Sequence, residues 1–219
     1  MQYICDMMIG ATNESTRNEW ITAQLKSISK GLRILDAGAG LMPYKKYCKH
    51  LKYVSQDFTK YNGMGDGTGR QNGNWPYPEI DIVCDIMNIP EADGSFDVVL
   101  CSEVLEHLSD PIGALQELDR LLVAGGKMIL TAPFSCLTHQ SPYFFYTGFS
   151  NNFYITWLPN YTIKIEYNGN YYDWLAQELR RIDVKDKVIY EALAEKSKEN
   201  PLSYQVLCFG LFVIAIKNE

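Results

Sequence analysis

The sequence predicts an α/β domain built on a parallel sheet covered by helices on both faces. Two observations carry that expectation. Short apolar runs rich in branched residues (LRILDAG, KYVSQD, IDIVCD, FDVVLCS, GKMILTAP) recur through the first 133 residues, and helix-like stretches separate them. A third observation bounds it: 219 residues with 47% apolar and 21% charged side chains suffice for one well-filled core.

The elements follow in order. A helix is expected around Asn18 to Ser29, then the strand LRILDAG, then a helix over PYKKYCKHL. Its lysines, with Lys52, read as a solvated helix face rather than a nucleic-acid contact. In DPIGALQELDRLLVAGG, Asp110 suits an N-cap, Pro111 the first turn and Gly125 a C-cap. Beyond Pro133 the texture changes: 13 of the 28 aromatic residues fall between Tyr143 and Trp174. The tail predicts a strand at YTIKIEYNG, helices over Trp174 to Arg181 and Asp186 to Lys198, and a last strand within YQVLCFGLFVIAIK. The long stretch without an element, Gly63 to Asn74, lies in the glycine-rich run YNGMGDGTGRQNGNW.

Composition excludes several classes of function. The net charge of −6 disfavours binding along nucleic-acid phosphates, so no nucleic-acid partner is expected. The longest apolar run, Val206 to Ile216, is too short to span a bilayer, and the N-terminus lacks a secretory pattern; the expected compartment is the cytoplasm, with no membrane association. Six cysteines form no C-x-x-C pair and have no histidine at ligand spacing. Neither a disulfide framework nor a metal site is expected.

The sharpest chemical signal is ILDAGAG, Ile34 to Gly40. An acid closes a strand, and Gly38 and Gly40 let the chain turn against a ligand before the next element. Asp57, 21 residues after Asp36, closes the second strand where an acid can hold ribose hydroxyls. A dinucleotide fingerprint would carry glycine where Pro43 stands. Asp85 closes a third strand, and Ile86 follows it, suiting an adenine amine and ring. The plainer readings are that Asp36 caps the following turn and Asp85 caps a helix.

Taken in order, ILDAGAG, Asp57, CDIMNIP, SFDVVLCSEVLEHLSDP and LDRLLVAGGKMILTAPF resemble the class I S-adenosylmethionine-dependent methyltransferases over about 100 residues. The resemblance implies a Rossmann-like three-layer sandwich whose seven-stranded, mostly parallel sheet ends in an antiparallel strand, with an aromatic-rich cap insertion. Residues 1–219 would form one domain: a helical segment (1–30), a cofactor-binding core (31–133), an acceptor-side cap (134–175) and C-terminal helices with the last strand (176–219). S-adenosylmethionine would be the cofactor. Asp36, Gly38 and Gly40 would surround its methionine part, Asp57 its ribose, and Asp85 and Ile86 its adenine. Cys101 and Ser102 would pass close to the sulfonium.

Methyl transfer from a sulfonium is an in-line displacement, so positioning carries much of the catalysis and a base is needed only where the acceptor must lose a proton. The fourth strand ends in CSEV, not in an NPPY-type motif, which points away from exocyclic base amines. TAPFSCLTHQSPYFFYTGFS resembles an H-x-x-P…T-x-x-G/S arrangement of small-molecule and glycan-related methyltransferases. His139 is the general-base candidate, with a hydrogen-bonded structural histidine as the other reading. Glu103 is a weaker catalytic candidate, and His107 reads as a packing and hydrogen-bonding residue beside the cofactor pocket. Tyr143, Tyr146 and Phe149, with Phe144, Phe153 and Trp157, can wall an acceptor site. The expected activity is methylation of O or N on a small-molecule or sugar-like acceptor; the alternatives are a nicotinamide-dependent oxidoreductase and a noncatalytic cofactor-binding module. The Gly63 to Asn74 run is then a flap at the pocket rim, anchored by Trp75 and Tyr77 and offering Asp66 or Arg70 to the acceptor, or else an insertion without a role.

Overall fold

A computed structural model describes residues 8–219; Cys5 and the rest of the first seven residues lie outside it. The strands are β1 (Arg33–Ala37), β2 (Lys52–Asp57), β3 (Ile82–Val83), β4 (Phe96–Ser102), β5 (Leu122–Pro133), β6 (Tyr161–Asn168) and β7 (Gly210–Lys217). They form one sheet in the order β3-β2-β1-β4-β5-β7-β6. Neighbours from β3 to β5 pair in parallel, and β7 runs antiparallel to both β5 and β6. The helices are α1 (Asn13–Lys26), α2 (Pro111–Leu121), α3 (Asn151–Trp157), α4 (Tyr171–Arg181) and α5 (Lys187–Glu199).

The period of two along each strand makes the layers. Ile34, Val98, Leu100 and Ile129 face one side and pack with Ile21 and Leu25 of α1. Their neighbours Leu35, Val99, Cys101 and Leu130 face the other and pack with Ala114, Leu115, Leu118 and Leu121 of α2. The α2 positions recur at helical spacing, which puts them on one stripe. Leu118 is fully buried there, and truncation to alanine would cost about 2–5 kcal/mol. Asp110 caps α2, its Oδ1 accepting the Gly113 amide at 2.9 Å, as the sequence predicts.

Several elements differ from expectation for identifiable reasons. The stretch PYKKYCKHL forms a single 3₁₀ turn at Lys45–Tyr47. Tertiary contacts hold it instead of a helical ladder: Tyr44 and Cys48 are buried in the α1-side layer, and the Tyr44 hydroxyl donates to Asn18 Oδ1 at 2.7 Å. The third strand shrinks to two residues because the Asp81 carboxylate takes over the ladder: its Oδ2 accepts both the amide (2.8 Å) and the hydroxyl (2.7 Å) of Ser55. Gly125 does not end a helix. α2 stops at Leu121, and Gly125, with φ of 73°, lies in the irregularity where the β4–β5 register jumps from Phe96↔Leu122 to Val98↔Lys127. The first helix begins at Asn13, earlier than expected. The last strand begins only at Gly210, after a 3₁₀ turn over Pro201–Gln205.

β6 and β7 are partners but not a tight hairpin, since α4 and α5 intervene. β6 is an edge strand of the sheet, so only the first part of residues 134–175, up to about Ser150, lies outside the layers. Among the described residues no helix is long and apolar enough to cross a membrane.

Candidate active site

Strand order reverses between β1 and β4, each of which turns to a different neighbour, and a parallel sheet opens a crevice at the carboxyl ends of such strands. The chain leaves β1 there through Gly38 and Gly40, with φ of 72° and 53°. A Cβ on Gly38 would lie 2.4 Å from Val104, so this turn is built for glycine on both backbone and steric grounds. Two residues at the end of β2 brace it. Gln56 Oε1 accepts the Gly38 amide at 3.2 Å, while its Nε2 donates to the Cys84 carbonyl at 2.8 Å. Asp57 Oδ2 accepts the Gly40 amide at 2.9 Å and Oδ1 the Thr59 amide at 2.8 Å. Gln56 carried no sequence signal: it is an amide buried among strand residues.

The other cofactor-side candidates occupy different settings. Asp36 lies under the turn, buried, with Oδ2 accepting from the Tyr53 hydroxyl at 2.5 Å. Burial raises its pKa to about 7, against the lowering effect of that hydrogen bond. Asp85 is exposed and Ile86 buried beside it; Asp85 Oδ1 accepts the Met87 amide in a turn, and no helix follows for it to cap. Cys101 is fully buried and its side chain packs in the core on the α2 side, so only its backbone faces the crevice. Ser102 is partly exposed and shares a 2.9 Å hydrogen bond with Thr131.

Past β4 the chain becomes strained. Glu103 has φ of 54°, and three bonds hold it: its amide donates to Thr131 O (2.8 Å), Oε1 accepts from Thr131 Oγ1 (3.0 Å) and Oε2 from Arg17 (3.0 Å). Arg17, on α1, was invisible as a site residue because 86 positions separate it from Glu103. Three residues on, Glu106 is 1% exposed, Oε2 finds no hydrogen-bond partner, and burial pushes its pKa well up. Its backbone carbonyl accepts the amides of Phe145 (2.9 Å) and Tyr146 (3.2 Å), which fastens the segment after β5 to this turn.

His107 and His139 meet here edge to face, with ring centres 4.8 Å apart. His107 Nδ1 lies 2.6 Å from the Tyr143 carbonyl and His139 Nδ1 lies 3.0 Å from the Leu137 carbonyl. A carbonyl only accepts, so each Nδ1 carries the hydrogen and each Nε2 keeps a lone pair. Burial lowers both imidazole pKa values, that of His107 to about 4. His107 is packed and hydrogen-bonded in the manner the sequence suggests, with its Nε2 left over.

The aromatic segment divides. Phe144 stacks near both histidines, at 4.9 Å from His139 and 6.4 Å from His107. Tyr143 meets Phe58 edge-on at 5.0 Å, and Tyr146 is exposed at the rim. Phe149 instead is buried in the core, 4.5 Å from Phe153, and its side chain belongs to packing. The glycine-rich run is also ordered against this segment. Asp66 binds Ser141 through two bonds: its amide donates to the Ser141 carbonyl (3.0 Å), and its Oδ2 accepts from the Ser141 hydroxyl (2.8 Å). Arg70 bridges His139, with its amide on Thr138 O and its carbonyl accepting from Gln140. Trp75 sits over Gly40, where a Cβ would be 3.4 Å from its ring, and packs on Tyr61 and Tyr77.

A Rossmann-like sheet with this strand order, a glycine turn at its switch point and an acid closing β2 defines the class I methyltransferase fold. Residues 35–130 match the family described as "Methyltransferase domain". The chain is 28% identical over 208 residues to a demethylmenaquinone methyltransferase of Beutenbergia cavernae, covering 89% of this chain and 78% of that protein. It is 38% identical over 70 residues to an uncharacterized 37.1 kDa protein from a Streptomyces fradiae transposon, covering 32% of this chain but only 20% of that one. Among solved structures, a SAM-dependent methyltransferase from Archaeoglobus fulgidus superposes with a TM-score of 0.56 at 17% identity, covering 91% of this chain and 94% of that one; at that identity the likeness is one of fold. The chain belongs to the class I S-adenosylmethionine-dependent methyltransferases, with S-adenosylmethionine as its cofactor. The nicotinamide alternative is thereby set aside.

Proposed function

We propose that the protein transfers the methyl group of S-adenosylmethionine to an oxygen or nitrogen of a small molecule bound between the glycine turn and the 138–146 segment. The observation that carries this reading is convergence. The glycine turn after β1, the acid closing β2 and the Glu103–His107 turn after β4 meet at one edge of the sheet, and His139 joins them from beyond β5. In this reading Gly38 and Gly40 give the methionine part close backbone approach, Asp57 receives the ribose hydroxyls, and Ile86 packs on the adenine with Asp85 at its rim. Ser102 and the Cys101 backbone line the path to the sulfonium. Tyr143, Phe144 and Tyr146 supply flat apolar walls for the acceptor, which suits a ring-bearing substrate; the Beutenbergia relative is named for a quinone. His139 presents its Nε2 toward that space.

The net charge of −6 supports a small molecule over a nucleic acid. The five described cysteines are all free, which supports the cytoplasm as the compartment. Calorimetry with S-adenosylmethionine and S-adenosylhomocysteine tests the cofactor half, and a panel of phenols, catechols, amines and sugars with mass detection of the methylated product tests the acceptor half. Micromolar cofactor binding with no product from any class would move the reading to a cofactor-binding module.

A further inference from the structure

One arrangement in the active site exceeds what methyl transfer needs. Glu106, His107 and His139 bring one carboxylate oxygen and two imidazole nitrogens within 4.8 Å of one another. Each is prepared in a specific way. Glu106 is 1% exposed, and its Oε2 has no hydrogen-bond partner. Its Oε1 stands 3.7 Å from His107 Nε2, longer than a hydrogen bond. Both histidines spend their Nδ1 hydrogen on a backbone carbonyl (Tyr143 and Leu137), which fixes the ring and leaves the Nε2 lone pair free. A carbonyl behind an imidazole in this way is the usual support of a metal-bound histidine. A buried carboxyl oxygen without a partner is otherwise costly, because its desolvation is not repaid.

We propose that Glu106, His107 and His139 bind one first-row divalent cation, of the zinc or cobalt type. Two imidazoles and one carboxylate favour such an ion over magnesium or calcium, which prefer all-oxygen shells. Three protein ligands leave a position open, the pattern of a site that takes a further ligand. Ligands on a tetrahedral zinc stand about 3.3 Å apart, from metal–nitrogen bonds of about 2.0–2.1 Å. The 4.8 Å limit therefore closes by about 1.5 Å at most when the ion enters. Glu106 and His107 sit on the turn after β4, His139 on the segment after β5. The cation consequently draws the aromatic segment onto the sheet edge.

The sequence expectation of no metal rested on the cysteines; the donors here are separated by 32 positions and carry no recognisable spacing. Binding of the ion does not depend on the methyltransferase reading, but its role does: the open position faces the acceptor space proposed above, where it would seat an acceptor oxygen. His139 is then a ligand, and the proton of a hydroxyl acceptor leaves to solvent or buffer from an oxygen already polarised by the ion.

The test uses the full chain stripped with chelator and desalted. Cobalt(II) is titrated in while the visible d–d absorption is followed, and zinc is then added to displace it. One equivalent should bind. His139→Ala and Glu106→Gln should each weaken cobalt at least tenfold, whereas His50→Gln, the remaining histidine, should leave it unchanged. Binding of S-adenosylhomocysteine to each variant reports whether it has folded; should one variant fail that check, the other decides. Absence of a cobalt spectrum up to millimolar metal overturns the proposal, as does affinity that is indifferent to His139 and Glu106. If cobalt binds through these residues but no methylated product forms, the site stands and the acceptor reading falls. Catalysis that is unchanged after chelation would overturn the acceptor-seating role alone.

Discussion

The two halves of the active-site edge are built by opposite means. On the proposed cofactor side the side chains that end β1 and β2 are satisfied by the chain itself. Asp57 accepts two amides, Gln56 bonds Gly38 and Cys84, and Asp36 is closed by Tyr53. On the acceptor side Glu103 sits at positive φ and Glu106 is buried with an oxygen unpartnered. Both halves hold non-glycine residues at positive φ, Met42 and Thr59 beside the glycine turn and Glu103 after β4, so what separates them is the buried Glu106 oxygen, whose polarity a ligand would satisfy. Stability and function should separate along that line.

The largest expected effect is on the acceptor side. His139→Ala should lower turnover by about 10²–10⁴-fold, with cofactor affinity by calorimetry intact; equal turnover would return His139 to structure. Next comes Asp36 beneath the turn. Its native pKa near 7 exceeds the unfolded value, so the native state keeps a proton that the unfolded chain loses, and stability falls as pH rises from about 4 to 7. Asp36→Asn, which can still accept from Tyr53, should flatten that decline, by on the order of 4 kcal/mol across the window. Denaturant melts at pH 4.5 and 7.5 would read it, and parallel profiles would contradict it.

Gly38→Ala should destabilise by about 2–3 kcal/mol, because Val104 stands where the new methyl goes. Adding Val104→Ala should recover part of the loss, whereas a loss that stays whole would assign it to the backbone alone. Asp57→Asn keeps the shape but can accept only one of the two amides, since its NH2 faces the other as a donor; cofactor affinity should fall by about 10–100-fold, with the melting temperature lowered less than in Gly38→Ala. The smallest effect belongs to Asp66→Ala, which frees Ser141 Oγ on an exposed loop. It should raise KM for the acceptor no more than a few-fold and leave the cofactor untouched. A comparable change in cofactor Kd would show that the loop serves both.

This contrast also explains what the sequence could reveal. The cofactor side is legible because its chemistry is local: ILDAGAG places strand, acid and turn within seven residues, and Asp57 falls one strand later. FDVVLCS and the Asp110–Pro111 helix start are legible for the same reason. The acceptor side is assembled from α1, the turn after β4 and the loop after β5, so Arg17, Glu103, Glu106, His107 and His139 become neighbours only after folding. Phe149 shows the converse limit. Its place in an aromatic cluster is readable, but whether the ring faces the pocket or the core depends on its packing against Phe153. The PYKKYCKHL stretch is held by contacts of Tyr44 and Cys48 beneath α1 that only the fold supplies.

The glycine-rich run from Tyr61 to Trp75 is tied at one end to the His139 segment and laid at the other across Gly40. A shift of the His139 segment therefore pulls on the cover over Gly40, and shortening the run between Gly65 and Gly73 should change acceptor and cofactor affinities together, which paired binding titrations would read.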